Sequence, residues 1–202
     1  ANGAVHIGII GTGTINGSGM EFWRGRELPY ARPDRTIKFQ RCTNVHIKDI
    51  RIRNSANWCI DVENCDQVTI TGINILNNRN LPNTDGIDPV SSSNVIISDC
   101  YIDTGDDAIC PKSDNPDNPT ENIVVNNCVL ISDDAAIKLG TASQGVIKNC
   151  TFSNIVVRKS ATGISFFMKD GGVYENIQFS NINIETKRNT RDTYPIFMDV
   201  ES

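Results

Sequence analysis

The sequence predicts an all-β chain, a right-handed parallel β-helix of about seven or eight turns, and three observations predict it. The first is a column of isoleucines, Ile60, Ile87, Ile109, Ile137, Ile164 and Ile196, at steps of 27, 22, 28, 27 and 32 residues. That is the variable period of a solenoid whose turns differ in loop length. The second is an independent register of short β-branched runs, each opened by an amide side chain: Asn44 to Ile47, Gln67 to Ile70, Asn94 to Ile97, Asn122 to Val125 and Asn176 to Phe179. Such runs are strand signatures. The third is the lack of any sustained helical period along the chain.

Taken in order, the elements fit this winding. The chain opens on a strand, Val5 to Ile10. The stretch Gly11-Thr12-Gly13-Thr14-Ile15-Asn16-Gly17 lacks the Gly-Lys-Ser/Thr ending and the following helix of a phosphate loop, so its glycines make the tight turns of the first coil. The opening amides mark bends, because asparagine tolerates left-handed backbone and can ladder between turns. Six residues after each opening amide stand Ile50, Ile73, Cys100, Cys128 and Ile182, and Cys150 joins this inward column if Gln144 is its opening amide. Free cysteine behaves there as a small hydrophobe. Cys42 and Cys65 each precede an opening amide by two residues, so they stack on neighbouring turns. Both a disulfide and parallel free thiols fit that spacing. The count of seven cysteines leaves at least one without a partner in the chain, and no pair of Cys-x-x-Cys motifs points to zinc. The segment Ser113 to Thr120 reads as a loop between turns, either a wall of a cleft or a surface turn.

At 202 residues and 39% hydrophobic the chain can bury one elongated core, and residues 1–202 read as one domain. A net charge of −5 without a basic stripe argues against a nucleic-acid partner. No apolar run is long enough to cross a bilayer, and the chain shows no secretory leader, so any leader has been removed or lies upstream. Solenoid ends need covering. Neither terminus offers an amphipathic cap, so both ends read as incomplete, completed by missing segments or by another chain.

Chemistry concentrates in two stretches, Asn83-Thr84-Asp85-Gly86-Ile87 and Gly105-Asp106-Asp107-Ala108-Ile109. Two positions before each column isoleucine stand Trp58, Asp85, Asp107, Ala135, Thr162 and Tyr194; three before stand Asn57, Thr84, Asp106, Asp134, Ala161 and Thr193. Equivalent positions on neighbouring turns lie about 4.8 Å apart, so Asp85, Asp106 and Asp107 crowd into one patch. Folding alone gives no reason to stack like charges. Counting a helix–loop–helix calcium site from Asp99 puts Thr104 and Cys110 where glycine and glutamate belong, and no metal or cofactor is expected. His6 and His46 fall far from the patch. Trp58 and Tyr194 are candidate sugar platforms, with turn packing as the equal alternative.

These motifs, in this order, resemble glycoside hydrolase family 28, the polygalacturonases and rhamnogalacturonan hydrolases. The pairing of Asn-Thr-Asp with Gly-Asp-Asp about twenty residues later carries the resemblance, with Gly11 to Gly17, Asn54-Ser55, Trp58 and Lys112-Ser113 in support. The resemblance implies a right-handed β-helix that hydrolyses pectic polysaccharide with inversion, in a secreted or periplasmic enzyme. It makes Asp106 the general acid and gives Asp85 and Asp107 the attacking water. Asn83, Lys112, Asp134, Lys138, Trp58 and Tyr194 are the expected substrate-binding residues. One carboxyl of the cluster should be held protonated, with Asp134 adding to the proton affinity of Asp106. Inverting enzymes separate acid and base by about 6.5–9.5 Å, whereas adjacent turns give about 5 Å. Two of the family's motifs are missing: Gly-His-Gly would fall at Asp134-Ala135-Ala136, and Arg-Ile-Lys at Ser165-Phe166-Phe167. Lys112, Lys138 and Lys169 are the cations expected near that face. A neutral sugar such as rhamnose on the leaving-group side fits the loss of Arg-Ile-Lys; so does a non-catalytic carbohydrate-binding β-helix or an inactive fragment.

Overall fold

The computed structural model describes residues 1–24, 27, 28, 30–187 and 193–201, wound as a parallel β-solenoid with three faces. The first face stacks Val5–Ile10, Thr43–Lys48, Asp66–Thr71 and Ser93–Ser98, then the leading halves of Thr120–Ser132, Val146–Ser160 and Val173–Thr186. The second stacks Thr14–Asn16, Arg51–Arg53, Asn74–Leu76 and Tyr101–Thr104, then the trailing halves of the same three long strands. The third begins with Arg35–Gln40, Trp58–Glu63 and Ile87–Val90 and ends with Ala135–Leu139, Thr162–Met168 and Tyr194–Val200. Ile109 bridges Ile87 to Ile137 and joins those two sets of strands.

The isoleucine column is real and gains Ile37 at its start, paired in sequence with Ile60, Ile87, Ile109, Ile137, Ile164 and Ile196. The solenoid makes about six turns, slightly fewer than the seven or eight expected, because layers outnumber completed turns. The only helical element among the described residues is a 3₁₀ turn, Gly19–Phe22. Among the described residues no helix is long and apolar enough to cross a membrane.

Inside the coil, Val45, Val68, Val95 and Ile123 stack on the first face and Ile52, Ile75, Ile102 and Leu130 on the second, all buried. Phe152 fills the later turns, its ring stacked on Phe179 at 4.9 Å. Period-two alternation makes each strand bury one row and expose the next. Bends fall where the amides are: Asn44, Gln67, Asn94, Asn122, Asn149 and Asn176 all have φ between 53 and 57°. Their side chains form a ladder, with Asn122 donating to Asn94, Asn149 to Asn122 and Asn176 to Asn149 at 3.0–3.2 Å. A second ladder runs Asn181 to Asn154 to Asn127 to Asp99.

One expectation needs correction, and two readings that stood open are decided. Cys150 pairs with Ile123 and Ile177, so Asn149 is its opening amide and Ile155 takes the place in the Cys128–Ile182 column. No disulfide links Cys42 to Cys65; all seven cysteines are free and buried. The Cys42 N–H donates to the Cys65 sulfur at 3.4 Å, and both thiols point to backbone carbonyls along the strand direction. The Ser113–Thr120 loop is held away from the acidic patch, with Asp114 accepting from Ser91 and Asn118 donating to Asn64 and the Ser91 carbonyl.

Candidate active site

The acidic patch is built by an unusually close approach of two coils on the third face. A Cβ on Gly86 would collide with the Ala108 carbonyl oxygen and lie 2.8 Å from Ile102 Cγ2; one on Gly105 would lie 2.5 Å from the Leu81 carbonyl and 2.8 Å from Thr84 Oγ1. Glycine is therefore required at both motifs. The backbones then bond directly, Cys59 N–H to the Asp85 carbonyl at 2.9 Å and Gly86 N–H to the Asp107 carbonyl at 2.8 Å. Asn77 anchors the loop leading into the first motif. Its amide donates to the Thr84 carbonyl at 3.1 Å and to Thr104 Oγ1 at 3.2 Å, while its oxygen accepts the Ser55 N–H at 3.0 Å.

The result is a cleft of about 390 Å³ lined by Trp58, Asn83, Asp85, Asp106, Asp107, Lys112, Asp134, Lys138, Thr141 and Ala142. Eight of the nine residues expected from the sequence are in it. Tyr194 is not: it lines a neighbouring pocket with Asp134, Thr162, Ser165, Phe167 and Phe197. Lys169 does not line the cleft either; it is bound to Asp199 and Glu201, with its nitrogen 5.8 Å from the Phe167 ring centroid. The ring of Trp58 lies between cations, the Arg35 guanidinium carbon 3.7 Å and the Lys112 nitrogen 4.1 Å from its centroid.

Each acid has a different environment. Asp106 accepts the N–H of Asn83 at 2.8 Å and of Asp107 at 2.9 Å. Asp107 holds Lys138 at 2.9 Å and accepts the Ala135 N–H at 3.3 Å. Asp85 lies 3.3 Å from the Lys112 nitrogen, and its other oxygen is buried without a hydrogen-bond partner. Lys112 also binds Asp88, a fully buried carboxylate beneath it.

Burial pushes the Asp85 carboxyl well above the ordinary range, and the neighbouring Asp88 adds to it against the pull of Lys112. Burial likewise raises Asp88 to about 6 despite the same lysine. For Lys112, burial works against the charge, but Asp88 and Asp85 outweigh it and hold the lysine well above its usual value. Asp134 is raised to about 6 by desolvation of its carboxyl and by Asp107, although the residue as a whole is exposed at the rim. High proton affinity in this cleft thus appears plainly at Asp85 and at Asp134.

Asp85, Asp107 and Cys110 bring donor atoms within 4.8 Å of one another, as do Asp106, Asp107 and Asp134. Lysines already neutralise two of these acids, so the cationic charge here is supplied by the chain itself. Burial also pushes Cys110 well above an ordinary thiol, and with its sulfur donating to the Gly140 carbonyl at 2.9 Å it is a packed core group. Sequence reading missed Asp88 as the second anchor of Lys112, although it directly follows the column isoleucine. It also missed Asn77, which no pattern marks, and Arg32, which donates to Asn83 Oδ1 at 2.9 Å.

A cluster of carboxylates in an open cleft, here on one face of a parallel β-helix, is an arrangement suited to acid–base chemistry on a glycosidic bond. Comparison with known proteins sharpens this: residues 2–201 match the model of the glycosyl hydrolases family 28, and the chain belongs to that family. It is 35% identical over 162 residues to a probable polygalacturonase of Vitis vinifera, covering 75% of this chain and 33% of the relative. Among solved structures, it is similar to an exopolygalacturonase from Thermotoga maritima with TM-score 0.65 and 28% identity, over 71% of this chain and 38% of the other. A polygalacturonase from Erwinia carotovora shares the fold along 100% of this chain and 56% of its own, with TM-score 0.81 and 23% identity. The chain spans about a third of the length of the first curated relatives it matches.

Proposed function

We propose that this chain carries the catalytic face of an inverting glycoside hydrolase acting on pectic polysaccharide of the galacturonan or rhamnogalacturonan type. One observation carries the reading: Asp85 and Asp107 offer carboxylate oxygens within 4.8 Å of each other, with Asp106 alongside. One water can donate to both, since an O–H···O bond spans about 2.7–2.8 Å. In this reading Asp85 and Asp107 orient that water and take its proton as it attacks the anomeric carbon. Asp106 gives its proton to the glycosidic oxygen, so bond formation and bond cleavage proceed together on opposite faces of the sugar. Lys138 bonds Asp107 and favours its ionised form, while Lys112 offsets only part of the burial that raises the proton affinity of Asp85. Asp106 and Asp107 have oxygens closer than the usual inverting separation, so inversion rests on Asp85 supplying the other side of the sugar. The polymer lies outside cells, which places the enzyme in a secreted or periplasmic setting.

The test is reducing-end release from polygalacturonate and from rhamnogalacturonan by this chain and its Asp106→Asn variant, with the first-formed anomer followed by proton NMR. Release that disappears in the variant and begins as the inverted anomer supports the reading; retention of configuration refutes the single-step mechanism. A carbohydrate-binding solenoid without catalysis is the second reading, favoured by the lack of cations at Ser165-Phe166-Phe167, and a folded sample that binds both polymers without cleaving either supports it.

A further inference from the structure

The peptide unit joining Pro82 to Asn83 has two polar ends, and the acids use one of them. Its N–H donates to Asp106 Oδ2 at 2.8 Å, while the Asp107 N–H donates to the other oxygen of that carboxyl at 2.9 Å. Its C=O points the opposite way, as the planarity of a trans peptide requires, and accepts from Arg32 Nη1 at 3.4 Å. The second nitrogen of the same guanidinium, Nη2, donates to Asn83 Oδ1 at 2.9 Å. One side chain thus holds both the peptide plane and the residue that follows it. Asn83 has φ 57°, a left-handed backbone that asparagine tolerates and that persists where neighbours hold it.

Arg32 is itself held in place. Its Nη1 also donates to the Ala56 carbonyl at 3.1 Å, and its guanidinium carbon lies 4.9 Å from the centroid of the Trp23 ring. The Trp23 indole N–H donates to the same Ala56 carbonyl at 3.3 Å. Pro33, the next residue, accepts from the Asn57 amide at 3.4 Å. All three acceptors of Arg32 are uncharged oxygens, so these contacts use its planar fork more than its charge. Arg32 is not among the residues that line the cleft; it meets Asp106 through the Pro82–Asn83 peptide.

We propose that Arg32 is a positioning residue for the reaction: by fixing this peptide it aims the Asn83 N–H at Asp106 and sets the direction in which that carboxyl faces the cleft. Two donors, one on each oxygen, fix the plane of the carboxyl. With one released, the carboxyl turns, and a proton donor must stand within about 2.6–3.2 Å of the atom it serves. The role in turnover rests on the glycoside-hydrolase reading of Asp106. The link from Arg32 to the Asn83 amide stands apart from that reading.

The experiment compares the unmodified chain with Arg32→Ala and Arg32→Lys, all labelled with nitrogen-15. Amide hydrogen exchange is followed by NMR, and initial rates on polygalacturonate and rhamnogalacturonan give kcat and KM. In both variants the Asn83 N–H should exchange at least about ten-fold faster, with exchange at the buried Val95 and Ile123 unchanged. In both, kcat should fall about ten- to hundred-fold at constant KM, because lysine keeps the charge and loses the fork. Unaltered exchange at Asn83 overturns the proposal, and acceleration at Val95 and Ile123 as well shows general loosening and overturns it too. Undiminished kcat overturns the positioning role, as does full activity in Arg32→Lys, which would assign the effect to charge. A rise in KM at constant kcat also overturns it, by making Arg32 a substrate contact. If the unmodified chain releases no reducing ends while Asn83 exchange still responds, the hydrolase reading falls, and with it the role in turnover, and the Arg32–Asn83 link stands.

Discussion

Replacing Lys112 with methionine tests the charge balance on which the cleft depends. The side chain is buried, its nitrogen 3.3 Å from Asp85 and bound to Asp88, which is itself fully buried. At an effective dielectric near 20, one unit charge 3.3 Å away contributes about 5 kcal/mol of gross attraction. Much of that is cancelled by the desolvation of the ions, and removing one partner of a buried pair typically costs about 3–5 kcal/mol because the other charge is stranded. Methionine keeps the volume, so the loss should be electrostatic and depend on pH. Both carboxyls already have raised affinity for a proton, Asp88 at about 6, and losing the lysine raises them further. A carboxyl that is raised on folding contributes stability fully below its unfolded pKa of about 3.9, and loses it as pH climbs through the folded value. Urea unfolding of Lys112→Met should therefore show about 3–5 kcal/mol of destabilisation at pH 7, with a large part recovered near pH 4.5. Equal destabilisation at the two pH values would show that lost packing, not stranded charge, is the cause, and would refute the reasoning.

Other perturbations bear on separate parts of the site. Asp106→Asn should lower the rate of glycosidic cleavage by at least about 10²-fold, the contribution of a positioned proton donor, with an unchanged circular dichroism spectrum; cleavage at an undiminished rate would remove Asp106 from the chemistry. In carbon-13 NMR the Asp134 carboxyl should titrate near pH 6, since burial and Asp107 raise it, and Asp107→Asn should move that midpoint down. Asn77→Ala should cost about 1–3 kcal/mol in a denaturant titration by leaving the Ser55 N–H unbonded and the Thr84 carbonyl with the Thr104 hydroxyl alone. Gly86→Ala should lower both the unfolding midpoint and activity, because the added methyl meets the Ala108 carbonyl; wild-type behaviour would show that the two coils can part without loss.

The winding was legible because a solenoid repeats its own evidence. The isoleucine column and the opening amides are two registers of one period, and the pairing of Ile60, Ile87, Ile109, Ile137, Ile164 and Ile196 follows them throughout. Trp58, Asp85 and Asp107 came together for the same reason, since column position is nearly a coordinate in such a fold. Cys150 was misplaced because Gln144 and Asn149 compete as opening amides, and only strand pairing decides between them. Tyr194 shares a column with Asp85 but stands three turns beyond Asp107, about 14 Å along the axis at 4.8 Å per turn, too far to line one cleft. Depth was the quantity the sequence did not carry. Asp88 and Asp85 look alike as letters, yet one lies beneath Lys112 and the other opens to the cleft. Asn77 is one asparagine among many until its partners are seen.

The two amide ladders make the solenoid a stack in which whole turns are interchangeable units. Each interior rung gives a hydrogen bond to the turn before and receives one from the turn after. Cutting out a complete turn from bend to bend brings two asparagines face to face with their partners' geometry intact, whereas deleting a single residue slips every later rung. Length changes along this axis should therefore be tolerated in quanta of one coil, and the loops between strands, where the steps already vary from 22 to 32 residues, are free to lengthen singly. In such an architecture a binding groove can be extended by copying a turn, and its walls altered by growing a loop, with neither event disturbing the acids on the turns between.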